Sequence, residues 1–445
     1  MVGKNAFALL ALLLAASGLT GCTSDGGQTA TKDGSGQTGN GNSPDKPKSP
    51  VTLTFYDPTA KGLTENFMEQ YGNAIQKKFP YITVNYVSSP DTNPEGHIAG
   101  MITAGETIDI VMTADQNFHR LIAPFNLQYD ISELIKSERF DLSRLDPGAV
   151  KAIQALSNGG MYGLPISMNH FALMYNRDLF DRFGQPYPKD GMTWDETYEL
   201  AKAMTRVEND VQYRGFITQT YNFAWTSQLS LGFVDPKTDK PLYVSDDRWA
   251  KFTRNLTRFY EIPGNALKET TFGAVGNLFN KDKVAAMYAN FIPSVEIPVN
   301  WDVVSLPTFS DLPGVGPQTL LSMAYITSMS KHKEAAFEAV AYLTSDEFQM
   351  NISKKALALP ITSNADVKKA FAQEAPLLQG KNVRVLLSNK PAPPFAPSPY
   401  SRAAAQFYER TMYKLGKGQV DLNTALREST EEANKEIEKL KSDKK

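Results

Sequence analysis

The amino-acid sequence predicts an α/β protein, because stretches of alternating hydrophobicity are separated by stretches with a helical period. Residues 51–56 alternate apolar and polar side chains, which is the pattern of a strand. Residues 67–79 then carry a large apolar side chain at every fourth position, and Pro80 ends this helical stripe. Alternation returns at residues 82–86. A β–α–β start favours a parallel sheet with a right-handed crossover.

The same alternation of strand and helix continues along the chain. A short strand is expected at residues 109–112. The run Thr193-Trp-Asp-Glu196 is a capping box, in which a hydroxyl and a carboxylate together satisfy the first turn of a helix. Residues 333–348 and 421–441 predict two further helices, the second of them highly charged. The sequence shows no internal repeat and no series of eight units that would indicate a barrel.

The composition limits the class of function. The chain has 445 residues, with 46 Lys and Arg against 48 Asp and Glu, and this balance argues against a dedicated nucleic-acid binder. One cysteine excludes an intramolecular disulfide framework, and four histidines argue against a metal centre. We therefore predict no metal and no cofactor. The length predicts two or three domains, at roughly 150 residues each.

The N-terminus has the features of a bacterial lipoprotein signal. Residues 6–16 form an apolar run of 11 residues, about half of the ~20 that a helix needs to span a bilayer. Leu19-Thr-Gly-Cys22 follows and resembles the bacterial lipobox, which is cut just before a cysteine that carries a diacylglyceryl group. We therefore expect a signal peptide at residues 1–21 and a lipid anchor on Cys22.

The segment after the cysteine is expected to be a flexible tether. Residues 23–50 consist of Gly, Ser, Thr, Asn, Asp, Gln and Pro with almost no apolar side chain. With the lipidated cysteine, the tether covers residues 22–50 and holds the body on the outer side of a membrane. Its length favours a Gram-positive cell surface, and a periplasmic position remains an alternative.

A series of short motifs follows in a fixed order within the body. The motifs are GMYGLP at 160–165, LMYNRDLF at 173–180, TWDE at 193–196, FNKDKVAAM at 279–287, VSLP at 304–307 and the helix from Lys333. Their order resembles that of the family 1 extracellular solute-binding proteins, the receptors of carbohydrate ABC importers. The sequence departs from the family pattern at Ile108, where proline is usual, and at Asp282, where glycine is usual.

The resemblance implies the type II periplasmic-binding-protein fold. In this fold two α/β lobes are joined by hinge strands, and the ligand binds in the cleft between them. The chain would cross between the lobes near residues 164–167 and 304–308. The lobe ranges implied in this way are 51–166 with 308–360 for lobe I, and 167–307 with 361–445 for lobe II.

Candidate binding residues are polar or aromatic side chains at the ends of predicted strands. A sugar offers hydroxyl groups that need polar partners and C–H faces that pack on aromatic rings. Asp57 follows the first strand, and Asp115 and Gln116 follow the strand at 109–112, where open α/β sheets bind ligands. The alternatives are a turn aspartate before proline for Asp57 and a helix cap for the other two.

Asn169 and His170 are candidates at the expected first crossing. The family often carries a ligand-binding carboxylate there, whereas this chain has an amide, so the resemblance implies a hydroxyl-binding role without the charge. A single histidine is more commonly structural, and this alternative stays open for His170.

Four of the five remaining candidates are aromatic residues. Tyr221 and Trp225 lie in a segment rich in aromatic side chains with polar groups, and Trp225 is the expected stacking platform for a sugar ring. Asn290 and Phe291 follow a motif after which the family sets ligand contacts. Trp301 could contact the ligand as well, and a core tryptophan is an equal alternative.

The expected function is that of a receptor and not of an enzyme. No G-x-S-x-G, H-E-x-x-H or EF-hand motif occurs in the sequence. We expect a monomeric, lipid-anchored receptor that binds a sugar or oligosaccharide and delivers it, by hinge closure, to ABC permease subunits with a cytoplasmic ATPase. The alternative is a surface-anchored glycoside hydrolase, because paired carboxylates carry no local motif. Polyols and glycerol phosphates stay open as ligands.

Overall fold

The computed structural model describes residues 48–58, 64–157, 159–266, 272–293 and 295–443. The predicted signal peptide, Cys22 and nearly all of the tether lie outside these ranges. From Ser49 onward the chain forms one compact unit. Within the described ranges, no helix combines the length and the apolar character needed to cross a bilayer.

Two mixed five-stranded sheets form the centre of the body. The strands are β1 Val51–Asp57, β2 Ile82–Ser88, β3 Ile110–Ala114, β4 Leu164–Asn169, β5 Ala172–Asn176, β6 Arg206–Glu208, β7 Val211–Thr218, β8 Ala285–Asn290, β9 Trp301–Ser305, β10 Val315–Gly316, β11 Leu320–Ile326 and β12 Lys390–Pro391. The first sheet has the order β2-β1-β3-β11-β4, and the second has the order β6-β7-β8-β5-β9. Strands β10 and β12 form a separate parallel pair.

Helices alternate with these strands along the sequence. They are α1 Thr64–Phe67, α2 Asn73–Lys78, α3 Pro94–Thr103, α4 Ser132–Ser137, α5 Pro147–Leu156, α6 Arg177–Arg182, α7 Trp194–Met204, α8 Thr220–Trp225, α9 Arg248–Glu261, α10 Phe272–Asn280, α11 Lys333–Leu343, α12 Asp346–Lys354, α13 Ala365–Lys369, α14 Ser401–Gly416 and α15 Leu422–Ser442. The prediction of an α/β protein is therefore confirmed.

Local sequence explains where several helices begin. The predicted capping box is confirmed, since the Thr193 hydroxyl accepts a hydrogen bond from the Glu196 N–H and the Glu196 carboxylate accepts one from the Thr193 N–H. The single helix expected at 333–348 was wrong. It is split into α11 and α12 because the Ser345 hydroxyl caps α12 by accepting a hydrogen bond from the Phe348 N–H.

The chain passes between the two sheets more than once. We call the half of the body built on the first sheet the first lobe, and the half built on the second sheet the second lobe. The first passage lies between Asn169, which ends β4, and Ala172, which begins β5. The return passage lies between Ser305 and Leu320. The first passage is a few residues later than the crossing expected near 164–167, because β4 stays paired with β11 as far as Asn169. The return passage begins within the range expected near 304–308.

A later connection brings the C-terminal part of the chain to the second lobe. Helix α11 packs on β11 and β4 of the first sheet, whereas α14 packs on α8 and α9. Between them, the N–H of Asn382 donates to the Asp302 carboxylate of β9 over 2.8 Å. The third connection therefore reaches the second sheet before β12.

In each sheet, one set of strand ends lies on the side of the passages. Strands β1, β2 and β3 are parallel, so the edge that holds Asp57 also holds Ala114, and the antiparallel strands bring Leu320 and Asn169 to it. In the second sheet, Thr218 and Asn290 end the parallel strands β7 and β8. The passages join these edges, and the space between the edges is a cleft between the lobes.

Candidate functional site

A cavity of about 50 Å³ lies in the cleft and is lined by both lobes. The first lobe contributes Asp115 and Gln116, which follow β3, together with residues of α5. The second lobe contributes Trp225 at the end of α8 and the segment 394–397. The full lining is Asp115, Gln116, Ala152, Leu156, Trp225, Thr226, Gln318, Thr319, Leu320, Pro394, Phe395 and Pro397. We call this space the interlobe cavity.

Asp115 places a carboxylate in the interlobe cavity. The backbone N–H of Gln116 donates to its Oδ1 atom over 2.9 Å, and the N–H of Leu321 also hydrogen bonds to the carboxylate. Burial raises the pKa of Asp115 to about 7, although these backbone donors act in the opposite direction. No lysine, arginine or histidine occurs among the described residues that line the cavity. The carboxylate therefore has hydrogen-bond donors around it but no cation within the lining.

Gln116 and Trp225 are the other two predicted residues in the interlobe cavity. The Gln116 Oε1 atom is buried and accepts no hydrogen bond from the part of the chain that the structure describes. The indole ring of Trp225 packs on Phe395 and Phe233, with centroids 5.5 and 4.7 Å away. A buried acceptor without a donor is costly, so the Gln116 amide is ready for a ligand that supplies one.

Tyr221 lies one helical turn before Trp225 in α8. The two ring centroids are 6.2 Å apart. Burial raises the pKa of Tyr221, while the positive charges of Arg402 and Arg120 oppose this shift. Tyr221 thus extends the aromatic surface of the second lobe beyond Trp225, toward two arginines.

A second cavity, of about 70 Å³, lies beside the passages and is lined by Asn169, His170 and Phe291 among others. Its lining is largely apolar and includes Leu357, Leu359, Phe371 and Leu386. We call it the hinge cavity. Three of the predicted site residues therefore line the interlobe cavity and three line the hinge cavity. The other four, Asp57, Tyr221, Asn290 and Trp301, line neither of these two cavities.

His170 connects three separate stretches of chain at the hinge cavity. Its Nδ1 atom lies 2.8 Å from the carbonyl oxygen of Leu386, and its Nε2 atom lies 3.0 Å from the Thr319 hydroxyl. A carbonyl can only accept, so Nδ1 carries the proton and Nε2 accepts from Thr319. Burial lowers the pKa of His170, which favours this neutral form. Both ring nitrogens are thus used within the protein.

Asn290 and Asp57 lie at the cleft edges of the two sheets. The Asn290 Nδ2 group donates to the Tyr288 hydroxyl over 2.6 Å, and its buried Oδ1 atom has no partner among the described residues. Asp57 is half-buried at the end of β1, where the Tyr86 hydroxyl donates to its carboxylate over 3.4 Å. Neither residue lines the interlobe cavity.

Trp301 is placed at the other edge of the second sheet. It pairs with Asn176, whereas the cleft end of the same two strands pairs Ser305 with Ala172. The Lys381 ammonium donates to the Trp301 carbonyl over 2.8 Å and lies 4.5 Å from the ring centroid. The structure does not bring Trp301 to either cavity.

Sequence reasoning missed the part of the interlobe cavity formed by the third connection. Pro394, Phe395 and Pro397 line the cavity, and Gln318 secures them, because its Oε1 atom accepts a hydrogen bond from the Phe395 N–H over 3.0 Å. The signal that could have found them is the proline-rich run PAPPFAPSP at residues 391–399, which contains one aromatic residue.

The two lobes, the passages and the cavity between them define a two-lobed binding protein of the type II periplasmic class. The Listeria monocytogenes ABC substrate-binding protein Lmo0181, solved with cycloalternan, superposes with a TM-score of 0.68 at 19% identity, covering 87% of this chain and 99% of that one. The sugar-binding protein MalE of Xanthomonas citri gives a TM-score of 0.68 at 18% identity, over 88% of this chain and 98% of that one. At these identities the likeness concerns the fold, and the predicted fold is confirmed.

The particular family follows from the sequence match. Residues 57–350, about two thirds of the chain, match the family described as bacterial extracellular solute-binding protein, and the chain belongs to that family. Its members are receptors, which supports the prediction of a binding protein over that of an enzyme. The sn-glycerol-3-phosphate-binding periplasmic protein UgpB of Brucella melitensis is 25% identical over 278 residues, 54% of this chain. The match spans only 60% of the length of that relative.

Proposed function

We propose that the protein is an extracellular receptor for a neutral sugar or oligosaccharide and delivers it to an ABC importer. The observation that carries this proposal is the composition of the interlobe cavity. Asp115 and Gln116 of the first lobe supply hydrogen-bond acceptors, and Trp225 of the second lobe supplies an aromatic ring. Sugar hydroxyls need such acceptors, and the C–H face of a pyranose packs on an aromatic ring.

The same lining argues against a phosphate group in this cavity. The name of the Brucella relative states that it binds sn-glycerol 3-phosphate, so a phosphorylated ligand is the main alternative. A phosphate is usually held by arginine, lysine or a cluster of N–H donors. The described lining of the interlobe cavity has no basic side chain and contains the Asp115 carboxylate, which would repel an anion. A neutral ligand fits this lining better.

Closure of the lobes is the proposed response to the ligand. Asp115 and Trp225 belong to different lobes, so a ligand between them gains both contacts only when the lobes are close together. A ligand that binds the closed form better shifts the equilibrium toward it. We propose that this closed form docks on permease subunits driven by a cytoplasmic ATPase, with the receptor acting as a monomer. The lobe ranges proposed from the resemblance are 51–166 with 308–360 and 167–307 with 361–445, except that residues 167–169 pair within the first sheet.

The proposed attachment to the membrane rests on the N-terminal sequence. It consists of the signal peptide at residues 1–21, the lipidated Cys22 and the tether at 22–50, all predicted from composition and from the lipobox. Mass spectrometry of the membrane-extracted protein should find a diacylglyceryl group on an N-terminal Cys22. An unmodified N-terminus with Met1 retained would contradict the anchor.

A ligand screen tests the receptor proposal. Protein lacking residues 1–22 is melted with a panel of neutral mono- and oligosaccharides, polyols and sn-glycerol 3-phosphate. We expect a rise in melting temperature with at least one neutral sugar, because a ligand that binds only the folded state stabilises it. Stabilisation by glycerol phosphate alone would reject the neutral ligand, and turnover of a glycoside would favour the hydrolase.

A further inference from the structure

Two side chains that line the interlobe cavity from opposite lobes each carry a buried polar atom without a partner in the described part of the chain. They are the Oε1 atom of Gln116, on the first lobe, and the Nε1 atom of Trp225, on the second. An amide oxygen can only accept a hydrogen bond, whereas an indole N–H can only donate one. The same small space therefore holds one unmet acceptor and one unmet donor, and each is costly to leave unpaired.

The other polar side chains of the lining already have partners within the protein. Gln318 is hydrogen bonded through both ends of its amide, since Nε2 donates to a backbone carbonyl over 3.1 Å and Oε1 accepts from a backbone N–H over 3.0 Å. The Thr226 hydroxyl donates to a backbone carbonyl over 3.0 Å, and the Thr319 hydroxyl bonds the ring of His170 over 3.0 Å. The Asp115 carboxylate accepts from backbone N–H groups. The two unpaired atoms are therefore exceptions within this lining.

Two other buried tryptophans do have an acceptor for their indole N–H. Trp194 Nε1 donates to the Gln228 side chain over 2.9 Å, and Trp249 Nε1 donates to the carbonyl of Gly232 over 3.0 Å. The three residues are comparably buried, at 2%, 0% and 8% exposure for Trp194, Trp249 and Trp225. The fold thus supplies the acceptor for the two indoles of the core and leaves the acceptor for Trp225 to the cavity.

Most of the Trp225 ring is already covered by neighbouring aromatic side chains. The ring centroids of Phe233 and Phe395 lie 4.7 and 5.5 Å from its own. The Tyr221 ring lies 6.2 Å away, one helical turn earlier, and its hydroxyl makes no hydrogen bond with the indole nitrogen. The N–H edge of Trp225 therefore offers a ligand a directional contact beyond any packing on the ring.

The size of the interlobe cavity limits what can reach the two atoms. Its volume is about 50 Å³, and one water-sized group needs about 10–15 Å³. A hydroxyl or hydroxymethyl group fits into such a space, whereas a whole pyranose ring does not. With the lobes as they stand, a ligand therefore reaches Gln116 and Trp225 with one small polar group.

We propose that one hydroxyl group of the ligand bridges the lobes, donating to the Gln116 Oε1 atom and accepting from the Trp225 Nε1–H. This proposal rests on the proposed function as a sugar receptor and adds the specificity of its site. A hydroxyl satisfies both atoms at once, whereas an ether oxygen can only accept and a C–H group does neither. Water can also bridge the two atoms, so a ligand gains affinity only with a group that reproduces both bonds. The bridge exists only when the lobes are close, so it also favours closure.

The requirement for a free hydroxyl can be tested on the wild-type site. For a sugar that raises the melting temperature in the screen, isothermal titration calorimetry compares the parent with its monodeoxy and mono-O-methyl derivatives at each position. At one position or more, both derivatives should bind roughly five- to hundredfold more weakly, because each leaves a buried atom unpaired. Equal affinity for all monodeoxy derivatives would overturn the bridge, while the receptor proposal stands. If no neutral sugar binds, the receptor proposal fails and the bridge fails with it.

Two variants show whether Gln116 and Trp225 meet the same hydroxyl. Gln116→Met removes the acceptor and Trp225→Phe removes the N–H, and each should lose the discrimination against the monodeoxy derivative at one shared position. Because the two residues share one partner, their losses should be less than additive in the double variant. Variants that lose discrimination at different positions, or at none, would reject a single bridging hydroxyl. Gln379→Met, at an exposed position, is the control and should leave affinity and discrimination unchanged.

The indole signal of Trp225 reports the bond itself. The chain has four tryptophans, so a proton–nitrogen NMR spectrum contains four indole signals, and Trp225→Phe identifies the one that is lost. The parent sugar should move this signal downfield, because the N–H gains an acceptor, whereas Trp194 and Trp249 keep theirs and serve as references. A saturating sugar that leaves the Trp225 signal in place would overturn the proposal. So would a shift of the ligand-free signal in Tyr221→Phe, because Tyr221 would then already accept from this N–H.

Discussion

Gln116 and His170 both lie where the two lobes meet, but they differ in how their polar atoms are satisfied. Both ring nitrogens of His170 are hydrogen bonded within the protein, to Leu386 and to Thr319. The Oε1 atom of Gln116 is equally buried and has no partner among the described residues. Because buried polar atoms are nearly always paired, we propose that the contrast separates a histidine used within the protein from an amide oxygen that accepts a hydrogen bond from the ligand. Three predictions test that contrast.

The largest effect is expected for His170→Ala, on stability. The substitution leaves the Leu386 carbonyl and the Thr319 hydroxyl buried without their partner, and each such group costs about 1–3 kcal/mol, so the free energy of unfolding should fall by about 3 kcal/mol. Urea denaturation measures this loss. His332→Ala is the control, because His332 is exposed before α11 and should change stability little. A similar small loss for both variants would mean that His170 does not hold the passages together.

A smaller effect is expected for Trp225→Ala, and it concerns the affinity for the ligand. If the ring is the platform for a sugar, its removal should weaken binding by about 2 kcal/mol, roughly thirtyfold, as for other aromatic anchors. Isothermal titration calorimetry with a sugar from the screen measures this. Trp301→Phe is the control, since Trp301 lies at the far edge of the second sheet. Unchanged affinity in Trp225→Ala would remove the platform from the proposed site.

The smallest effect is expected for Asp115→Asn, in the pH dependence of stability. An acid whose pKa is raised on folding to about 7 favours the folded state at low pH, and this contribution is lost as pH rises through that value. Asparagine cannot ionise, so the variant avoids the cost of a buried negative charge. It should therefore be more stable than the wild type by about 1 kcal/mol near pH 8 and equal to it near pH 4. Asp115 is partly exposed, which keeps the expected difference small. If the wild type and the variant differ in free energy of unfolding by the same amount at pH 4 and at pH 8, the raised pKa is contradicted.

The sequence predicted the strand ends of the first lobe better than the remaining parts of the site. Asp115 and Gln116 follow a parallel strand, and the rule that ligands bind beyond the carboxyl ends of such strands placed them correctly in the cleft. Trp301 begins β9, which is antiparallel to β5, so its start lies at the edge away from the cleft. Strand direction is set by the sheet and cannot be read from local periodicity.

Two further features depended on contacts that the local sequence does not show. Phe395 reaches the interlobe cavity through the third connection, where Gln318, 77 residues earlier, secures it by a hydrogen bond. The split of the predicted helix at 333–348 depends on Ser345, whose hydroxyl caps the following helix instead of facing solvent within a continuous one. Hydrophobic alternation and capping boxes are local signals. They predict individual helices and strands, but they do not predict how these elements pack together.

The position of β11 has a consequence for how the chain folds. It lies inside the first sheet, between β3 and the edge strand β4, although the strands of the second lobe separate it from β4 in the sequence. A nascent chain that ends before Leu320 lacks this strand, so β4 has no neighbour in the first sheet. Folding of the first lobe must therefore wait for residues far downstream, as expected for a topology of high contact order. Such a delay leaves β1, β2 and β3 without the strand that joins them to β4 until residues 320–326 have been made.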